Sequence, residues 1–207
     1  MTKFQQMFYD IKTTKDYKTV GKDVDYKIYI DKEKNEAVLQ FEESDSKIDW
    51  LNNILFIPFP LVLDCIYKKK IVWTTLGYAR AYKSTKNQII KEYIKAFYNT
   101  GYIKHITGWS FGSAMAKITA YHLSLIGYIV DELDTFGDVK CWLNPWHKPD
   151  AIFNHEFTTV NDGVTWCVPF FHRDSKCKVG PKFKLKELFN TEYYHTHYDE
   201  YDYKDYE

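Results

Sequence analysis

The 207-residue sequence lacks the features that mark several classes of protein. Its four cysteines form no CxxC pair, which argues against both a disulfide framework and a zinc site. Its 28 basic and 28 acidic residues cancel, so no overall basic field points to a nucleic-acid partner. Because 45% of the residues are hydrophobic, the chain should nevertheless fold around a sizeable core.

Long apolar segments are also absent. No stretch reaches the roughly 18 apolar residues that a membrane-spanning helix needs. Residues 1–18 contain no apolar core and no small-residue cleavage site, so we do not expect a secretory signal. The sequence therefore predicts a protein without an integral membrane segment, located in the cytoplasm or associated with a virion. It predicts no metal and no cofactor.

Strand and helix patterns alternate along the chain. After loose helical spacing at residues 3–20, the alternation predicts an α/β fold with a mostly parallel central sheet flanked by helices. We expect one domain over residues 1–207, with a helical extension at 1–23 and an acidic tail at 202–207 lying at its periphery. Strands are expected at 25–30, 36–41, 70–75, 102–109, 128–137 and 155–162, and the main helices at 79–98 and 113–127.

One serine stands between two glycines where a strand pattern becomes a helix pattern. In the stretch Gly-Trp-Ser-Phe-Gly, the elbow that presents a nucleophilic serine needs almost no side chain at Gly108 and Gly112. Ser110 would be the nucleophile. The backbone N–H of Phe111 would point to a developing oxyanion at a helix N-terminus. The alternative is that Ser110 simply caps the helix.

A nucleophilic serine needs a histidine base and an orienting acid. Asp162 follows a strand pattern, and open α/β sheets place their sites at the carboxyl ends of strands. Asp134, Asp138 and Asp150 are rivals by position only. In α/β hydrolases the acid precedes the base along the chain. That order disfavours His147 and His155 and leaves His172, His195 and His197.

An ordered series of short matches over residues 36–201 resembles the class 3 lipases, the fungal-lipase-like branch of the α/β hydrolases. The matches are Phe41, Ser44 and Asp49-Trp50, then Gly77, Tyr78 and Tyr82, the elbow, Thr135-Phe136-Gly137, "VNDGVTWCVP" and "YYHTHYDEY". The resemblance implies an α/β-hydrolase fold and a lipase-type ester hydrolase. It implies Ser110 as nucleophile, Asp162 as acid and His195 as base, with Phe111 and Ser44 stabilising the oxyanion.

The sequence departs from the pattern of the family at several positions. Glu42 and Glu43 replace an arginine and a glycine of the oxyanion strand, and Trp109 replaces the histidine before the nucleophile. His197 replaces a glycine, so a shift of two residues would make it the base instead of His195. These departures keep a second hypothesis open, in which the chain is a non-catalytic lipase-like binding or structural module, for example in a virion.

The most apolar segment, residues 54–67, lies after the oxyanion strand. Pro58 and Pro60 prevent it from forming one regular helix. In class 3 lipases this region often covers the site as a lid, and an exposed apolar lid would favour transient contact with a lipid surface. The alternative is that the segment is core. The expected partner is an ester or lipid substrate, and lipase, phospholipase and acyltransferase activities are not separated by the sequence.

Overall fold

The computed structural model describes residues 1–20, 24–42, 57–98, 100–144, 151–166, 177–182 and 190–206. The helices are α1 (Lys3–Thr13), α2 (Leu76–Phe97), α3 (Phe111–Leu125) and the short α4 (Thr191–Thr196). The strands are β1 (Lys18–Val20), β2 (Val24–Asp31), β3 (Glu36–Phe41), β4 (Pro58–Asp64), β5 (Lys69–Thr75), β6 (Ile103–Trp109), β7 (Val130–Phe136), β8 (Ala151–Thr158) and β9 (Cys177–Lys178). Short 3-10 turns cover Gly163–Trp166 and Tyr198–Glu200.

The central sheet is mostly parallel, as predicted. Its strand order in the described residues is β1-β2-β3-β6-β7-β8-β9. Strands β3, β6, β7, β8 and β9 are parallel to one another, and β1 and β2 add antiparallel pairs at the β3 edge. Helix α3 connects β6 to β7, and α2 precedes β6. The predicted α/β-hydrolase arrangement of a parallel sheet flanked by helices is confirmed.

The interior strands and α3 form the main core. All six residues of β3 are buried, as expected for a strand that is covered on both faces. In α3 every residue from Phe111 to Leu123 is buried, which agrees with the apolar composition of this helix. Helix α2 begins at a defined cap, because the hydroxyl of Thr75 accepts a hydrogen bond from the backbone N–H of Tyr78 at 3.2 Å.

A two-stranded antiparallel hairpin, β4–β5, lies outside the central sheet. No strand was predicted at residues 58–64, and this is a correction. Prolines are tolerated here because a two-stranded hairpin consists of edge strands. Neither the lid nor the core prediction describes this part of the segment, since Leu61 is buried while Phe59 is 38% exposed. The rest of the predicted segment at residues 54–56 lies outside the described residues.

Both ends of the described chain contribute to a second core, so their predicted peripheral position is wrong. Helix α1 starts with a capping box between Thr2 and Gln5, and it buries one face of regularly spaced apolar residues. Near the other end, Tyr203 is fully buried in the same cluster. Aromatic side chains from the acidic tail pack in this core. The charge of the tail had instead suggested a solvated segment. The buried residues of α1 are Phe4, Met7, Phe8 and Ile11.

No helix in the described part of the chain combines the length and the apolar composition that crossing a bilayer requires.

Candidate active site

Ser110 lies at a sharp turn between β6 and α3. Its backbone has φ 56° and ψ −120°, a strained conformation for a residue with a side chain. A Cβ atom on Gly108 would overlap the carbonyl oxygen of Gly112. A Cβ atom on Gly112 would lie 2.6 Å from the carbonyl oxygen of Glu42. The two glycines are therefore sterically required, and the turn has the geometry of a nucleophile elbow.

The alternative role of Ser110 as a helix cap is wrong. Its side chain makes no capping hydrogen bond, and its Oγ bonds to no residue in the described part of the chain. A capping serine would instead have extended backbone and accept a bond from an N–H of the first helical turn. The elbow is held by its main chain, since the N–H of Ser110 donates to Phe136 O at 3.0 Å. The hydroxyl of Ser113 donates to Ser110 O at 2.6 Å.

A buried histidine and a buried aspartate form a close pair near this elbow. His195 Nδ1 lies 2.7 Å from Asp162 Oδ2, and both side chains are almost fully buried. The backbone N–H of Val164 donates to Asp162 Oδ1 at 3.0 Å, which fixes the carboxylate. Strand β8 ends at Thr158, four residues earlier than the predicted strand end at Asp162. The aspartate therefore lies in the loop after the strand, where it can reach the imidazole.

The imidazole of His195 packs against residues on both sides of the elbow. A Cβ atom on Gly137 would lie 2.7 Å from His195 Cε1, so only glycine leaves room for the ring there. The indole N–H of Trp109, the residue before the serine, donates to His195 O at 3.0 Å. The hydroxyl of Ser110 does not hydrogen-bond to His195 in this conformation. Such bonds are often long in free enzymes and tighten when substrate binds.

The neighbouring histidine has a different environment. His197 Nδ1 lies 2.8 Å from Tyr193 O, and its ring stacks on the Tyr193 ring with centroids 4.1 Å apart. The rival acids are also engaged elsewhere. Asp134 contacts His105 and His155, and Asp138 contacts Lys117. Asp150, His147 and His172 lie outside the described residues. The geometry therefore favours His195 and Asp162 over the alternatives.

Of the two predicted oxyanion donors, Phe111 lies in the described part of the chain and Ser44 does not. Phe111 is the first residue of α3, so its backbone N–H lies at the helix N-terminus beside Ser110. Ser44 and Glu43 lie outside the described residues. The described end of the oxyanion strand is close to the elbow, because the carbonyl oxygens of Phe41 and Glu42 lie within 2.7 Å of a Cβ position on Gly112.

Comparisons with known proteins agree with this architecture. Residues 38–137 match the family model described as lipase (class 3). The chain is therefore similar to class 3 lipases over these residues. The predicted resemblance is confirmed. Among curated proteins, none matches the chain.

Solved fungal lipases are similar to this chain in fold. A triacylglyceride lipase from Rhizomucor miehei aligns with TM-score 0.60 and 16% identity, over 74% of this chain and 59% of that one. A mono- and diacylglycerol lipase from Aspergillus oryzae aligns with TM-score 0.55 and 22% identity, over 74% and 55%. A triacylglycerol lipase from Penicillium expansum aligns with TM-score 0.60 and 15% identity, over 85% and 74%. The chain thus spans less than two thirds of the first two lipases, and the likeness shows the fold.

Sequence reasoning missed Tyr198 as a member of the candidate site. Its hydroxyl donates to Asp162 Oδ2 at 2.9 Å and accepts from Thr159 N at 3.1 Å. Burial, followed by the charge of Asp162, raises the pKa of Tyr198 well above its usual value, so the phenol stays protonated and donates. Its position three residues after His195 was the available signal.

The role of Trp109 was also missed. The sequence shows only that a tryptophan replaces the histidine of the family, and not that its indole N–H reaches the backbone of His195. The indole is supported from behind by Phe8 of α1, whose ring packs edge-on against it with centroids 5.4 Å apart. Helix α1 also donates from Lys12 Nζ to Thr196 O at 2.7 Å. The helix at the start of the chain therefore holds the segment that carries His195.

One other cluster in the described residues has the composition of a metal site. Ligand atoms of Glu36, His105 and Glu132 lie within 4.8 Å of one another. The ammonium of Lys3 lies 2.7 Å from Glu132 Oε2 and 3.9 Å from Glu36 Oε1. Lys3 thus supplies a positive charge to this cluster, which lies within β3, β6 and β7 rather than at the elbow.

Proposed function

We propose that the chain is a carboxylic ester hydrolase of lipase type that works through an acyl-enzyme. Ser110 is the nucleophile, His195 the general base and Asp162 the acid that orients the imidazole. The observation that carries this proposal is the buried His195–Asp162 pair beside a strained serine elbow. A structural serine has no need of that backbone conformation, whereas an elbow nucleophile does.

The chemistry follows from this arrangement. Ser110 Oγ attacks the acyl carbonyl of the ester while His195 Nε2 takes the proton of the hydroxyl. The negative oxygen that forms is stabilised by the N–H of Phe111 and by Ser44. The tetrahedral species then collapses as His195 protonates the departing alcohol. Water, activated by the same imidazole, attacks the acyl-enzyme and releases the acid. Asp162 stabilises the imidazolium in both steps.

The substrate class is an acylglycerol or another lipid ester. Ser110 is fully buried, so an ester reaches it only after the side chains that cover it move. Transient contact of residues 54–67 with a lipid surface would supply a reason for that movement. We also propose that residues 1–207 form a single domain and that the protein is cytoplasmic or associated with a virion.

The test is hydrolysis of p-nitrophenyl esters and of acylglycerol and phospholipid substrates with different acyl lengths. Ser110→Ala should lose activity by a factor on the order of 10⁴ or more, as removal of a triad nucleophile does. Ser124→Ala is the matched control, because this serine lies at the far end of α3 and its hydroxyl donates only to the main chain of Tyr121 among the described contacts. Retained hydrolysis in Ser110→Ala would exclude Ser110 as the nucleophile. No turnover of any ester by the parent protein would favour the non-catalytic module.

A further inference from the structure

Exposed apolar side chains are concentrated on the β4–β5 hairpin. Of the 15 large hydrophobic residues that are exposed in the described chain, seven lie between residues 57 and 73. A random distribution would place far fewer in so short a segment, and contiguous exposed apolar area on a protein marks an interaction surface. These residues are Ile57, Phe59, Val62, Ile66, Tyr67, Ile71 and Trp73.

The exposure follows from the strand pattern of the hairpin. The inner face carries Leu61, Leu63 and Val72, which are buried in the main core. On the outer face Val62 lies opposite Ile71, and Pro60 lies opposite Trp73. An outer face of a surface hairpin is normally polar. Apolar residues on both faces therefore indicate that the outer face has a partner other than the core.

The same side of the molecule is basic, although the whole chain has no net charge. Lys68, Lys69 and Lys70 follow the hairpin turn, where Tyr67 is 95% exposed. The one acid of the hairpin strands, Asp64, is paired with Lys86 at 3.0 Å. Helix α2 packs beside the hairpin and contributes further cations. Besides Lys86, the cations of α2 that line grooves on this side are Lys83, Lys91 and Lys95.

Two open grooves combine apolar walls with these lysines. One, of about 310 Å³, lies between β4 and α2, with walls formed by Phe59 and Leu61 and with Lys69 and Lys83 at its margin. The other, of about 630 Å³, runs along α2 and the end of α3. Its apolar lining is formed by Ile90, Ile94 and Ile126, and its cations are Lys91 and Lys95.

We propose that this hairpin–α2 surface, residues 57–73 together with the basic side of α2, docks onto an anionic phospholipid bilayer. The apolar and aromatic side chains enter the interface between headgroups and acyl chains, and the lysines contact the phosphates. Exposed Val and Ile side chains favour a bilayer over a nucleic acid, because aliphatic groups cannot stack on bases as aromatic groups do. The proposal names the lipid surface on which the proposed hydrolase works.

Docking through this surface also fits the position of the elbow. Strand β5 ends at Thr75, where α2 begins, and the ring of Tyr78 in the first turn packs on Phe111 with centroids 5.8 Å apart. Phe111 follows Ser110 directly. The Thr75 end of the hairpin is therefore adjacent to the elbow, whereas its turn lies at the far end of α3, where the N–H of Ile66 donates to Leu125 O at 3.2 Å. A bilayer that contacts the whole length of the hairpin extends to the side of the elbow.

The test is flotation of the Ser110→Ala chain with vesicles of phosphatidylcholine alone or mixed with phosphatidylserine. The inactive background separates docking from hydrolysis, so failure of one does not imply failure of the other. We expect binding to the anionic vesicles that weakens as salt increases. Replacing Lys68, Lys69 and Lys70 by glutamine should lower the affinity about fivefold for each lysine, which corresponds to about 1 kcal/mol.

Matched variants show whether the apolar side chains take part. Ile66→Ser combined with Tyr67→Ser changes two exposed residues and should lower binding at least as strongly as the lysine changes. Phe153→Ser, a 58% exposed position on β8, and Lys204→Gln should have no effect. Binding that is equal on neutral and anionic vesicles, absent from both, or unchanged by the hairpin variants overturns the proposal. So does binding to a nucleic acid that competes with vesicles for the same lysines.

Discussion

Two buried histidine–aspartate pairs lie within the described part of this fold, and they differ in what surrounds them. His195, on the short helix α4, lies 2.7 Å from Asp162, which is in the loop after β8 next to the elbow. His105 lies 2.9 Å from Asp134 inside the sheet, on the neighbouring strands β6 and β7. The second pair has a further carboxylate, because His105 Nδ1 is 3.1 Å from Glu36 Oε2. Distance and burial alone therefore do not distinguish a catalytic pair from a structural one.

The charge around each ring makes the difference. Burial alone would lower the pKa of His105, but its bonds to Asp134 and Glu36 outweigh burial and raise the pKa to about 9. An imidazole that stays protonated at neutral pH cannot accept a proton from a serine. In His195 the carboxylate is at Nδ1, which is the arrangement that presents Nε2 as the base in a triad. A histidine between two carboxylates, as at His105, belongs to a buried ion cluster. A histidine with one carboxylate beside a serine, as at His195, is a candidate base.

The largest expected effect separates the two histidines of the C-terminal segment. His195→Ala should lower kcat for p-nitrophenyl ester hydrolysis by a factor on the order of 10⁴, since the general base is removed. His197→Ala should stay within a few-fold of the parent, because that ring contacts Tyr193 and Thr196 instead. Steady-state kinetics of the two variants measure this difference. The reverse order of effects would move the base to His197.

The next effect concerns stability rather than rate. His105→Leu leaves the buried carboxylates of Asp134 and Glu36 without their shared cation. We expect a loss of about 3–5 kcal/mol in the free energy of unfolding, as when one partner of a buried ion pair is removed. His195→Ala should cost less, because Tyr198 and Val164 still donate to Asp162. Urea denaturation of both variants provides the comparison. Equal losses would remove the distinction between the pairs.

The pH dependence of stability should have a maximum near pH 6.5. The pKa of His105 is raised from 6.5 to about 9, so its contribution is complete below pH 6.5 and is lost as pH rises toward 9. Burial, followed by the charge of Lys86, lowers the pKa of His122 from 6.5 to about 4, so stability also falls as pH drops from 6.5 toward 4. Each limb should be on the order of 2–3 kcal/mol.

Melting temperatures measured between pH 4 and pH 9 test this profile. In His105→Gln the alkaline limb should flatten while the acid limb stays. A stability curve that keeps rising from pH 6.5 to pH 9 in the parent protein would show that His105 is not held protonated by Asp134 and Glu36.

The smallest expected effect concerns the support of His195. Trp109→Phe keeps an aromatic ring beside Phe8 but removes the hydrogen bond from the indole N–H to His195 O. We expect kcat to fall up to about tenfold with little change in KM, and stability to fall by about 1 kcal/mol. The same rate in parent and variant would show that α4 holds His195 in place without this bond.

Much of the fold could be predicted because its signals are local. Strand β3 occupies the predicted residues 36–41, since its apolar run is bounded by polar turns. The elbow could be predicted because its constraint falls on single positions, Gly108 and Gly112, where any side chain would overlap the backbone. Patterns of this kind depend on neighbours in the chain, and sequence shows those neighbours directly.

The remaining features depend on contacts between distant residues. Strand β4 was missed because two prolines mark a break, and only its pairing with β5 makes them edge residues. The burial of Tyr203 was missed because an acidic tail resembles a solvated one. His195 and His197 have the same side chain, so the sequence does not show which of them meets the acid. Only the folded α4 segment brings His195 to Asp162 and His197 to Tyr193.

The central claim is that His195 and Asp162 activate Ser110, and covalent labelling by a fluorophosphonate probe tests it most directly. The probe reacts with an activated serine and not with a merely buried one. Peptide mass analysis of the labelled protein should place the adduct on Ser110. Labelling should be abolished in Ser110→Ala and slowed on the order of 10³-fold or more in His195→Ala. A folded parent protein that takes no label at Ser110, or a His195→Ala variant that labels at the parent rate, would contradict the account.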